Sequence, residues 1–263
     1  MSENIDYKLL EKKAEEIRRK SIEMIVNAKS GHVASTLSCV DILVALYYSV
    51  ATEEDIIILS KGHAAPALYT ILIDKGIISK EQFKYLRHIH GILEGHPCVD
   101  IPGVEASTGS LGVGFSVAVG RAFARKIRGK PGIVYCIIGD GEMQEGICWE
   151  LFGIAFHHRL DNLIVIVDRN GLQLSGATEN ILCLEPIERK LKSFNWVVRR
   201  IDGHNIRKIV GTIDKIKDIE GFPKIIIADT VKGKGVEEME WNVAGHSMKA
   251  EEVEKFIKGL WEE

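Results

Sequence analysis

Asp140 and Asn170 are the residues of this chain whose types and setting suit a small hard cation. Each follows a run of almost purely hydrophobic residues, Gly132–Ile138 and Asn162–Val167. Each sits in a polar turn, Gly139-Asp140-Gly141-Glu142 and Asp168-Arg169-Asn170-Gly171. A carboxylate and an amide oxygen are hard donors, and Mg²⁺ takes one or two protein carboxylates with carbonyl and phosphate oxygens completing its shell. Gly139 and Gly141 carry no Cβ, so the backbone there can approach a diphosphate closely. Either turn alone has an ordinary reading, because Gly-Asp-Gly is a common turn and Asn-Gly a common hairpin signal. Together, separated by one helix and one strand, they point to a metal-bridged diphosphate.

Histidines form a second set. His32, His63, His96 and His246 fall in glycine-containing loops, whereas His157 and His158 lie at a predicted helix end. A lone histidine is ordinarily a structural or surface residue. In a loop at a strand exit, a neutral imidazole can donate to a phosphate or a sugar hydroxyl and can exchange protons near neutral pH, which a polyol substrate demands. Lys232-Gly233-Lys234-Gly235 has neither Walker spacing nor a terminal Ser or Thr, and reads as a flexible edge of the site rather than a phosphate loop.

These residues need elements to hold them. A strand reading Gly-Ile-Val-Tyr-Cys-Ile-Ile is apolar on both faces, as in a parallel sheet, and the helical recurrence from Cys148 to Arg159 joins it to the next strand as a βαβ unit. In open α/β sheets ligands sit at the carboxyl ends of strands, where both polar turns fall. The expected fold is therefore α/β, a parallel sheet with helices on both faces. Further helices are expected at Tyr7–Ala28, Leu37–Tyr48, Glu185–Ser193 and Ile206–Ile216. Lys249–Trp261 reads as a terminal helix, and Asp55–Ser60, Trp196–Ile201 and Lys224–Asp229 as strands. Gly31 stands where a helix-ending glycine belongs. Gly91 to Ser110 is an ordered glycine- and proline-rich loop before a helix starting near Leu111, and Leu172 to Thr178 is turn-rich.

Composition bounds the rest. The 263 residues are 46% hydrophobic with a net charge of −3, enough for one sizeable domain spanning 1–263 and without a basic field for nucleic acid or a polybasic membrane patch. Residues 1–20 lack a signal-length apolar core and no window approaches 18 uninterrupted apolar residues, so the chain is expected in the cytoplasm. Cys39, Cys98, Cys136, Cys148 and Cys183 form an odd set without Cys-x-x-Cys spacing and read as reduced, mostly structural thiols.

Gly139-Asp140-Gly141 followed by Asn170 resembles the thiamine diphosphate signature, and residues 139–146, Gly-Asp-Gly-Glu-Met-Gln-Glu-Gly, are similar to the form it takes in transketolases. Ser30-Gly31-His32, Ser60-Lys61-Gly62-His63-Ala64, Gly95-His96-Pro97, Pro102-Gly103-Val104-Glu105 and Thr108-Gly109-Ser110-Leu111-Gly112 occur in the order that family carries them, so the resemblance covers nearly the whole chain. It implies a thiamine diphosphate-binding fold of the diphosphate type. It also implies Asp140, Asn170 and the Leu172 carbonyl as ligands of Mg²⁺, for which Ca²⁺ or Mn²⁺ can stand in. Gly109 would approach the aminopyrimidine, Leu111 would pack on the rings, and Glu145 would join a network linking paired active sites. His32, His63 and His96 match the substrate-channel histidines, His63 also reaching the diphosphate and His96 the donor's terminal hydroxyl; His246 matches the late channel histidine. The chain departs from the family at Val33-Ala34, where most members have Pro-Gly, and at Gly245-His246-Ser247, where the usual sequence is Trp-His-Gly. Glu142 and Asp168 are expected at the surface or in support behind the ligands.

In that family the glutamate bonded to the pyrimidine N1′ comes from a second, pyrimidine-binding domain, which does not appear before Glu263. The resemblance therefore implies the amino-terminal subunit of a split transketolase. It would work with a carboxy-terminal chain as a heterotetramer in the pentose phosphate pathway, moving a two-carbon ketol unit between sugar phosphates such as xylulose 5-phosphate. Two other readings stand beside it: one chain of another thiamine diphosphate enzyme, of the 2-oxo acid dehydrogenase E1 or deoxyxylulose phosphate synthase type, and a non-catalytic thiamine diphosphate-binding protein.

Overall fold

The computed structural model describes residues 5–242. His246 and the expected terminal helix at 249–261 lie outside the described residues.

Helix α1 (Tyr7–Ala28) starts at Asp6, whose carboxylate accepts from the Leu9 N–H at 3.2 Å. It stops at Lys29, in the left-handed conformation at φ 50°, so the cap falls two residues before the expected Gly31. The single helix expected over 37–48 is instead three pieces: α2 (Val33–Leu37), α3 (Val40–Ala45) and a π-helical turn at Leu46–Val50. Local hydroxyls divide it. Thr36 Oγ1 donates to the His32 carbonyl at 2.7 Å and Ser38 Oγ to the Ser35 carbonyl at 3.1 Å, offering the backbone partners that compete with a continuous ladder. Val33–Val50 is long and apolar enough by composition to cross a membrane, and here most of it is buried inside the protein.

Strand β1 (Ile56–Leu59) leads into α4 (Ala65–Asp74), and α5 (Val113–Ile127) leads into β2 (Val134–Gly139). Helix α6 (Gly146–His157) then connects to β3 (Leu163–Arg169). The stretch read as turn-rich contains a hairpin, β4 (Leu172–Gln173) paired antiparallel with β5 (Gly176–Ala177), followed by α7 (Thr178–Ile181) and α8 (Ile187–Ser193). Strand β6 (Val197–Asp202), helix α9 (Ile206–Ile216) and strand β7 (Lys224–Asp229) complete the described order.

Five strands form one parallel sheet in the order β1-β2-β3-β7-β6. Alternation along each strand divides the apolar side chains. Ile57, Leu59, Tyr135, Ile137, Ile164, Ile166 and Ile226 pack with α1, α3, α4 and α9. Ile56, Ile58, Val134, Cys136, Ile138, Val165 and Ile227 pack with α5, α6 and α8. The chain jumps from β3 to the edge strand β6 and returns through α9 to β7. That reversal puts α9 on the opposite face from α5, α6 and α8, as right-handed crossovers require. Because every strand of the sheet is parallel, β1, β2, β3 and β7 all release their chains at one edge, where Lys61, Asp140, Asn170 and Lys232 follow.

All five cysteines are free; Cys39, Cys136 and Cys148 are buried and Cys183 is exposed. Ile166 is fully buried at the middle of β3. Ile166→Ala is expected to lower the unfolding free energy by about 2–5 kcal/mol, through lost transfer energy and a residual cavity, as read by urea denaturation.

Candidate functional site

At that edge lies a cavity of about 220 Å³ whose wall includes His63, Gly139, Asp140, Gly141, Asn170 and Leu172. The wall also includes Leu111, 43% exposed, on the approach to α5. Asp140 is nearly inaccessible: Oδ1 accepts from the Gly141 N–H at 2.8 Å, and Oδ2 from the Gly171 N–H at 2.7 Å and from Arg169 Nη1 at 2.9 Å. Burial pushes its carboxyl above the ordinary value, against the pull of Arg169 and Gly171. Asn170 Oδ1 accepts from the Leu172 N–H at 3.1 Å, and the Leu172 carbonyl accepts from Lys232 Nζ at 3.5 Å.

These three oxygens fit a hard cation by their remaining capacity. A carboxylate has about four lone-pair sites, of which three are used here, and an amide or carbonyl oxygen has two, of which one is used. Asp140, Asn170 and Leu172 line one cavity wall, and one carboxylate with two neutral oxygens is a donor set that would suit Mg²⁺ alongside diphosphate and water oxygens. Gln173, in the same wall, has a buried Oε1 with no hydrogen-bond partner.

A buried ion pair stands at the wall, which Lys61 also lines. The Lys61 ammonium, which follows β1, reaches the Asp168 carboxylate of β3, and both side chains are inaccessible. Asp168 also accepts from Ser38 Oγ at 2.6 Å and from Thr230 Oγ1, while Lys61 donates to the Ser35 carbonyl at 3.0 Å. Burial works against both charges, yet each partner prevails: Lys61 lies above its ordinary value and Asp168 below. Glu142 is buried too, and burial raises its carboxyl. It accepts from Ser60 Oγ, the Gly112 N–H at 2.9 Å and the Gly139 N–H at 3.1 Å, tying three loops together. Of the two places expected for Glu142 and Asp168, the surface or support behind the ligands, both take the second, because each meets donors from elements distant in sequence.

Three of the expected histidines meet. The His32 and His63 rings lie 5.6 Å apart edge to face, and His32 and His96 lie 6.3 Å apart. Each comes from a different loop. His96 is held by Tyr69 Oη, which donates to its carbonyl at 2.9 Å, and its ring lies 3.3 Å from where a Cβ on Gly109 would stand. Gly62 allows a similar approach, since a Cβ there would lie 2.7 Å from Thr108 Oγ1. Burial, then the charge of Arg87, pushes the imidazoles of both His32 and His96 below the ordinary value; His96 and Lys232 act on His32 as well.

Glu145 stands apart from this group, exposed at the N-cap of α6. Lys232 is the residue that the sequence pattern misplaces. The expected flexible edge is packed: Lys232 is inaccessible, the Gly233 N–H donates to the Ala34 carbonyl at 3.0 Å, and burial drives the Lys232 ammonium down to about 8. Its position at the exit of β7 was the available signal.

The match to known proteins agrees with this geometry. Residues 10–261 match the family model for transketolase, thiamine diphosphate binding domain. This chain belongs to the transketolase family. It is 40% identical over 273 residues to an apulose-4-phosphate transketolase subunit of Actinobacillus succinogenes, covering 99% of each chain. It is also 40% identical over 253 residues to the 6-deoxy-6-sulfo-D-fructose transketolase subunit SqwG of a Clostridium species, covering 92% of each. The crystal structure of transketolase from Campylobacter jejuni superposes with a TM-score of 0.90 at 32% identity, covering 98% of this chain and 43% of that one. The chain thus spans less than half the length of that solved relative.

Two outcomes follow for this cavity and its supports. Lys61→Met leaves Asp168 buried and unpaired, and is expected to cost about 3–5 kcal/mol of stability in urea denaturation. His32 and His96 should titrate by NMR below the peptide value of about 6.5, so both are neutral at pH 7. The unfolded chain takes up protons that these imidazoles refuse, so their contribution to stability is present above that value and lost as the pH falls below it. Titration at or above the peptide value contradicts the assignment.

Proposed function

We propose that this chain is the diphosphate-binding subunit of a two-chain transketolase, acting with thiamine diphosphate and a divalent cation, Mg²⁺ in the first place, in the cytoplasm. The observation that carries the reading is the convergence of Asp140, Asn170, Leu172 and His63 on one cavity wall, with His32 beside His63 and His96 beside His32.

Asp140, Asn170 and the Leu172 carbonyl would hold the cation, and Gly139 and Gly141 would leave room for the cofactor's diphosphate. Bound thiamine diphosphate supplies the carbanion chemistry of ketol transfer. His63 orients a phosphate or a sugar oxygen at the cavity mouth. His32 and His96, kept neutral, can each donate to or accept from a substrate hydroxyl and relay a proton without placing a charge in the channel. Buried Lys61 acts through Asp168 on the framework.

The two-chain reading is supported by relatives of matching length that are named as subunits. A partner with a pyrimidine-binding domain, carrying the glutamate that faces the pyrimidine, would complete the site, and the pair would assemble as a heterotetramer. The donor we infer is a ketose carrying an anionic tail, in the simplest case xylulose 5-phosphate. The relatives' names, one a phosphate and one a sulfonate sugar, share that anionic tail while differing in the sugar.

Asp140→Ala should abolish Mg²⁺-dependent binding of thiamine diphosphate in isothermal titration calorimetry, and unchanged binding would sink the metal assignment. Mixing the chain with a pyrimidine-domain partner should raise turnover of a ketose phosphate at least a hundredfold over either chain alone. Full turnover by this chain by itself would refute the two-chain reading.

A further inference from the structure

Arg169 belongs neither to the cavity wall nor to the buried Lys61–Asp168 pair. It follows Asp168 at the end of β3, and strand alternation turns the two side chains to opposite faces of the sheet. Asp168 goes to Lys61, Ser38 and Thr230; Arg169 goes to α7. Its Nη1 donates to Asp140 Oδ2 at 2.9 Å and to Thr178 Oγ1 at 2.6 Å, and its Nη2 donates to Glu179 Oε1 at 2.7 Å. Arg169 is 9% exposed and Asp140 2%, so this is an interior contact.

The bonds close a ring. The Thr178 N–H donates to the Gly171 carbonyl at 3.0 Å, and the Gly171 N–H donates to Asp140 Oδ2 at 2.7 Å. Asp140, Arg169, Thr178 and Gly171 therefore fix one another, with Asn170 enclosed in the chain between Arg169 and Gly171. Asp140 faces the cavity from the front, and the guanidinium stands behind it.

We propose that Arg169 is the positioning residue for the metal ligands Asp140 and Asn170: its planar fork joins the Asp140 carboxylate to α7, so cation binding in the cavity depends on how α7 is seated. This rests on the proposed metal site. A guanidinium has the geometry for the task, since it presents several fixed N–H donors in one plane, whereas an ammonium is a single point of attachment. Partners that orient a metal ligand from behind set affinity, and their loss costs roughly ten- to a hundredfold.

The test is Mn²⁺ binding to the full chain in the presence of thiamine diphosphate, read by the EPR signal of free Mn²⁺, with thermal unfolding followed on the same samples. Arg169→Gln is expected to weaken Mn²⁺ binding roughly ten- to a hundredfold, and Arg169→Lys to recover only part of the loss. Thr178→Val with Glu179→Ala keeps Asp140 paired while removing both α7 acceptors from the guanidinium, and is expected to weaken binding by a smaller factor. A purely structural role would lower the melting temperature and leave the affinity of the folded protein unchanged. Unchanged or tighter Mn²⁺ binding by folded Arg169→Gln overturns the proposal. If that variant does not fold, unchanged binding by the α7 double variant overturns it. Failure of the wild-type chain to bind Mn²⁺ would instead bring down the metal site itself, and this inference with it.

Discussion

The Lys61–Asp168 pair is the constraint on which the site depends. In the sheet order β1-β2-β3, Lys61 follows β1 and Asp168 lies next to the last residue of β3, so the pair spans the exit of the strand between them, the one that delivers Asp140. Taking two charges out of water is expensive, and attraction between them offsets that cost only when further donors satisfy the remaining lone pairs. Here the Ser38 and Thr230 hydroxyls donate to the carboxylate, and the Ser35 carbonyl accepts from the ammonium. The pair therefore fixes relative position: α2, β1, β3 and the exit of β7 meet at one carboxylate.

Glu142 performs the matching task on the other side of the Asp140 turn. Its carboxylate gathers Ser60, Gly112 and Gly139, which come from the β1 exit, the start of α5 and the end of β2. Between these two buried acids, Asp140 has little freedom, and its own oxygens are oriented by backbone N–H groups and Arg169. The three acids at this edge thus divide the labour. Two hold the framework, and the third presents its unused lone pair to the cavity.

Much of this was legible in the sequence where local pattern decides. Tyr7–Ala28, Ile206–Ile216 and Lys224–Asp229 have the expected bounds, because strong periodicity and a side-chain cap, Asp6 or Asn205, fix the helices and a buried Ile run fixes the strand. Asp140, Asn170 and Leu172 share a wall because parallel strands end together. What the sequence hid was tertiary. Apolar continuity over 37–48 concealed the break made by Thr36 and Ser38, and two glycines made Lys232 look like a loop residue when it is inaccessible, its ammonium on the Leu172 carbonyl and the next N–H on Ala34. Arg169 looked like an ordinary polar residue in a turn, since Thr178 and Glu179 become its partners only once the β4–β5 hairpin folds back.

The central claim is that a cation binds where Asp140, Asn170 and Leu172 converge. The most direct measurement is an anomalous difference map from a crystal of this chain grown with thiamine diphosphate and Mn²⁺. The account predicts a single strong peak bounded by the Asp140 carboxylate, the Asn170 amide oxygen and the Leu172 carbonyl. Bound thiamine diphosphate with no peak there, or with the Mn²⁺ held by other residues, would contradict it.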